Sequence, residues 1–150
     1  MTCNEYPWSA YRRTHVELKF EDGSTQLVEQ TDREVGKWPF SVDEVWILTA
    51  FNPKSELLTP AENSKRHLEL GKQLDELGLQ HFQARGFDPQ GAETEPWSED
   101  GYAVMGNVGD EVLKLANFWE QNAVFVWRAN EWLIKGVLLE GECKSGWKFL

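Results

Sequence analysis

Amide, carboxylate and guanidinium side chains gather at a few places in this chain. Asn52 stands before a proline, Glu62, Asn63 and Arg66 follow close behind, Arg85 and Glu95 flank a glycine-containing turn, and Gln121 and Asn122 are adjacent. Such groups suit recognition more than covalent chemistry. Arginines and the free N–H groups at a helix start hold anions, amides read polar edges, and Glu62 or Glu95 can move a proton once burial raises its pKa. No nucleophile accompanies them: Ser55, Ser64 and Ser98 lack a His–Asp arrangement, and both cysteines, Cys3 and Cys143, sit near the chain ends. There is no C-x-x-C or H-E-x-x-H, and His15, His67 and His81 are far apart, so neither a metal nor a cofactor is expected.

Each of these residues also has a plain structural use. Glu62 completes a capping box, Asn52 before Pro53 is a common turn former, Arg66 can pair along its own helix, and Asn122 can end one. Asn63 is the exception. It falls on the inward stripe of its helix with His67, Leu70, Leu74 and Leu77, where an apolar residue would be ordinary and a polar one needs a partner.

The elements that would position them follow from periodicity and turn chemistry. Val16, Leu18 and Phe20 alternate with polar residues, and Glu21-Asp22-Gly23-Ser24 turns the chain, so 15–29 reads as a β-hairpin. Residues 43–50 contain the continuous apolar run of a central strand. Thr59-Pro60-Ala61-Glu62 is a capping box with proline at the first helical position, opening a helix to Leu77 that stops at Gly78. Strands at 79–85, 101–105 and 123–128 and a helix at 110–120 follow. A further strand at 132–139 precedes a C-terminal tail. The order from 43 to 128 is β-α-β-β-α-β, which predicts an α+β fold with a ferredoxin-like core, an N-terminal hairpin and a C-terminal extra strand, in one domain of residues 1–150. In that topology Asn52, the 86–98 loop and the 121–122 junction meet at one end of the sheet.

Composition narrows the partners. With 25 acidic against 15 basic residues the net charge is −10, which disfavours nucleic acid. The apolar runs are strand-sized, so no membrane span is expected, and the N-terminus lacks a signal-peptide pattern. A cytoplasmic location follows, with two free thiols as the default and a Cys3–Cys143 disulfide as the alternative. Eight tryptophans exceed what a chain of this length needs; most should be core, while Trp8, Trp38, Trp97 or Trp147, outside the main elements, could anchor a protein partner.

Thr49-Ala50-Phe51-Asn52-Pro53, Glu62-Asn63 with Arg66 and Leu68, Gly91 with Glu95-Pro96, and Gln121-Asn122-Ala123 occur in an order that resembles a bacterial family, domain of unknown function three-two-nine-three. The resemblance spans about residues 45–128. It implies a bacterial-type cytosolic protein and no particular reaction. Two functions remain open: binding of a small anionic or nucleotide-like ligand at the polar end, and an acidic protein-interaction module without catalysis.

Overall fold

A computed structural model describes residues 2–89 and 97–150. The eight strands are β1 (His15–Lys19), β2 (Thr25–Thr31), β3 (Glu44–Thr49), β4 (His81–Phe87), β5 (Ser98–Met105), β6 (Ala123–Arg128), β7 (Glu131–Gly136) and β8 (Glu142–Phe149). They form one closed barrel in the order β1-β2-β8-β7-β6-β3-β5-β4, with every pairing antiparallel. The open ferredoxin-like α+β sheet expected from element order is therefore incorrect. Three pairings overturn it. β1 zips onto β4 through Val16–Gly86 and Leu18–Ala84, and β8 inserts between β2 and β7. An open sheet would leave these edges unpaired; closure removes them.

The residues expected to form a tail are β8. Cys143, Ser145, Trp147 and Phe149 alternate with Glu142, Lys144, Gly146 and Lys148, a period of two that puts Cys143 and Trp147 inside the barrel. Cys143 is joined to Cys3 in a disulfide, so the default of two free thiols is also corrected. This bond holds the N-terminal segment against the barrel. There a short helix, α1 (Trp8–Arg13), drives Trp8 into the core and caps one open end.

Two longer helices lie outside. α2 (Pro60–Glu76) links β3 to β4, and α3 (Gly109–Phe118) links β5 to β6. Outward residues of β3, β5 and β6 (Trp46, Leu48, Tyr102, Val104, Val124, Val126) pack on Leu70 and Leu74 of α2 and Val112, Leu115 and Ala116 of α3. Thr59 caps α2: its hydroxyl accepts from the Glu62 amide at 3.2 Å while the Glu62 carboxylate accepts from the Thr59 amide at 3.3 Å. Gly71 lets α2 come close, since a Cβ there would lie 2.5 Å from the Tyr102 hydroxyl, which donates to the His67 carbonyl at 3.0 Å.

Alternate residues of the same strands face inward. Near the ends where β6 finishes and β7 begins, the interior is filled by Trp127, Trp132 and Trp147, with Trp38 and Phe40 packed against them. At the opposite end the inward positions carry Ala84, Gly86, Gly101 and Ala123, and the filling stops. An eight-stranded barrel is just wide enough either to fill with side chains or to hold one small ligand; this one does the first at one end and leaves room at the other.

Candidate functional site: the open end of the barrel

The space left by those small residues is a cavity of about 400 Å3. Val16, Ile47 and Phe125 line its floor, the strand ends Thr49, Glu99, Gly101 and Ala123 its sides, and Tyr6, Tyr11 and Trp97 its mouth. Gly101 brings two walls together: a Cβ there would fall 2.3 Å from the backbone oxygen of Leu48.

One wall is a hydrogen-bonded clamp. Asn52, in the left-handed region at φ 47°, donates its backbone N–H to Asn63 Oδ1 at 3.0 Å, and its own Oδ1 accepts from Asn63 Nδ2 and from the Leu58 amide, both at 2.9 Å. The inward polar residue on α2 thus has its partner across the loop, and both ends of its amide are used. Gln121 donates to the Phe51 carbonyl at 2.9 Å and to that of Trp119 at 3.1 Å. Arg66 donates to the Ala50 and Trp119 carbonyls at 2.5 and 2.8 Å and lies over the Trp119 ring. Thr49 ties the loop to β5 by donating to the Asp100 carbonyl at 2.6 Å and accepting from the Phe51 amide at 3.0 Å.

With both acceptor positions of its Oδ1 occupied, Asn52 is fixed in orientation, and its Nδ2 donates to Glu99 Oε1 at 3.1 Å. Glu99 is the inward carboxyl of β5, in phase with Gly101 and Ala103. Burial pushes its pKa up to about 7, against a smaller downward pull from the Asn52 bond. It can carry or release a proton near neutrality. Above it, Tyr11 of α1 lines the same cavity as Ser55 and Asn122, and burial raises its pKa. Asn122 donates to Ser55 Oγ at 3.1 Å, so α1, the 50–58 loop and the start of β6 meet at the mouth. Arg13 and Asp88 approach each other at 3.9 Å on the rim.

The polar residues expected from sequence divide accordingly. Asn52, Gln121 and Asn122 line the cavity. Asn63 and Arg66 stand behind them, holding the loop. Glu62 is exposed at the start of α2 and occupied by its capping box: its own N–H donates to Thr59 Oγ1 and its carboxylate accepts from the Thr59 amide. Arg85 is on the outer barrel face, 3.6 Å from Glu17 and stacked over Phe87. Glu95 lies outside the described residues. Glu99 and Tyr11 were not anticipated. The signal for Glu99 was a glutamate two residues before Gly101, in register with the inward positions of its strand. Of the tryptophans considered as partner anchors, Trp8, Trp38 and Trp147 pack in the barrel core, and Trp97 lines the cavity.

Among the described residues no group of three or more His, Cys, Asp and Glu could hold a metal, and no helix is long and apolar enough to cross a membrane. The fold and site define a small closed antiparallel barrel, hollow at one end, with a carboxyl inside. The chain belongs to the family described as Protein of unknown function (DUF3293), whose model matches residues 48–124. That match begins in β3 and ends in β6, so it covers the clamp, Glu99 and both outer helices. No curated protein and no solved structure matches the chain.

Proposed function

We propose that this protein binds one small organic molecule in the open end of its barrel, mainly through apolar contact, with Glu99 and Asn52 reading a polar group. The observation that carries this reading is the carboxyl held by an orientation-locked amide within a cavity of about 400 Å3, a volume within the range of ligand pockets. Apolar walls with a few placed polar groups are the usual make-up of such a site. The anionic or nucleotide-like ligand suggested by sequence has less support, because the polar group projecting into the space is an acid. The residues that frame one wall, Thr49, Asn52, Asn63 and Gln121, lie within the span that the family model matches. As to location, the Cys3–Cys143 bond persists in an oxidising compartment and opens in a reducing one, so it weighs against the cytoplasmic expectation.

The test is ligand-observed NMR with a panel of aromatic fragments against wild type and Ala84→Phe. Ala84 lines the cavity, and a phenyl group there occupies it. Fragments that bind wild type and are lost from a folded Ala84→Phe support the reading. Fragments that bind both proteins equally, or neither, overturn it.

A further inference from the structure

The charge balance of the cavity points to a class of ligand. We propose that the molecule bound there is a protonated amine on an apolar or aromatic body, its ammonium group paired with Glu99. This inference rests on the cavity being a ligand site.

Three observations support it. First, Glu99 is an uncompensated acid: among the described residues its hydrogen-bond donor is Asn52, and no Lys, Arg or His lies within ion-pair distance of it. Among the described residues the one cation lining the cavity, Arg13, lies 3.9 Å from Asp88 on the rim and so has an acidic neighbour of its own. Second, the Asn52 amide cannot turn to offer an acceptor, because Leu58 and Asn63 hold its oxygen. Its Nδ2 stays turned to Glu99 Oε1, and among the described residues Glu99 Oε2 is left to accept from a donor on the ligand. Third, Tyr6, Tyr11, Trp97 and Phe125 line the same space. Aromatic faces attract a cation and repel an anion. Burial lifts the pKa of this carboxyl, and a neighbouring cation would lower it again. An ammonium group would restore the charged form, and the proton displaced from Glu99 would leave to solvent.

Tryptamine, tryptophol and indole-3-propionate share one aromatic body and differ in their end group: ammonium, hydroxyl and carboxylate. Titration calorimetry on the full chain, at about pH 6 and about pH 8 and in two buffers of different ionisation heat, separates them. Among the described residues the remaining ionisable groups lining the cavity are Tyr6, Tyr11, Arg13 and Asp88, and the Glu99→Gln variant separates their contribution from that of Glu99. We expect tryptamine to bind at least about tenfold more tightly than tryptophol at the higher pH, where Glu99 is already mostly ionised and little proton is released, and the preference to shrink at the lower pH, where binding displaces the Glu99 proton. Glu99→Gln should abolish the preference while tryptophol still binds. If tryptophol or indole-3-propionate binds as well as tryptamine and Ala84→Phe blocks both, the cavity is a ligand site and the amine inference is wrong. If none of the three binds, or all bind Ala84→Phe unchanged, the cavity reading falls and the amine inference with it.

Discussion

The two ends of the barrel are built from the same strands and solve opposite problems. At one end Trp127 meets the rings of Trp38, Phe40, Trp132, Trp147 and Phe149 at centroid distances of 5.1 to 5.9 Å, several of them edge to face. At the other, Ala84, Gly86, Gly101 and Ala123 occupy the equivalent inward positions, and the space they leave is bordered by the Glu99 carboxyl and by Tyr11 of α1. Large rings bury area and fix the barrel's diameter; small residues contribute little to stability and open a volume. The difference teaches that close packing and open volume have been separated to the two ends, so that substitutions at one should leave the other largely intact.

The largest expected effect lies at the filled end. Trp127→Ala removes the ring at the centre of the aromatic cluster and should destabilise by about 3–5 kcal/mol, read as a lower urea midpoint. Next in size is a pH effect at the hollow end. Glu99 has a folded pKa of about 7 against 4.5 for the free side chain, so between those values the native state holds a proton that the unfolded chain has lost. Stability therefore falls as pH rises from about 4.5 to about 7 and levels off above, a loss of at most about 3 kcal/mol. Denaturation midpoints across that window should decline less steeply in Glu99→Gln; identical slopes in the two proteins would show that Glu99 is not held in a raised state.

A paired substitution sharpens the comparison further. Ala103 and Ala84 sit on neighbouring strands and both point inward, but only Ala84 borders the cavity. Ala103→Leu should cost about 1–3 kcal/mol by overpacking. Ala84→Leu grows into open space and should change stability by less than about 1 kcal/mol. Equal losses in thermal melts would mean that the two ends are equally packed. The smallest effect belongs to neither end: Thr59→Ala, which removes the cap of the outer helix α2, should cost about 1 kcal/mol and leave fragment binding unchanged.

Local pattern carried much of the architecture. The 15–29 hairpin, the strand at β3, the capping box that opens α2 and the strand at 123–128 all rest on signals within a few residues, and each stands where those signals put it. Closure of the barrel does not. It depends on β1 finding β4 and β8 finding β2, contacts between segments far apart in sequence that no local period encodes. The same gap hid the site. Local pattern ends one strand at Arg85, before Gly86, and starts the next at Gly101, whereas β4 runs to Phe87 and β5 begins at Ser98, so Glu99 falls outside the expected strand. Inside a barrel those glycines are the positions that create the cavity. The amides Asn52, Gln121 and Asn122 were legible as a gathering because turn and helix-end chemistry places them; the carboxyl they surround was not.

The Cys3–Cys143 bond joins positions 140 residues apart in sequence. Bond and backbone together make the polypeptide nearly a ring. On chain-entropy arguments such a long closure restricts the unfolded state by about 5 kcal/mol. The ring also changes what a cut means. Cleavage in the exposed turn between β1 and β2, at Glu21–Ser24, would release nothing: the molecule would acquire new ends while its old ones stayed joined, a circular permutant made by a protease. Its two pieces would travel as one until a reductant was added.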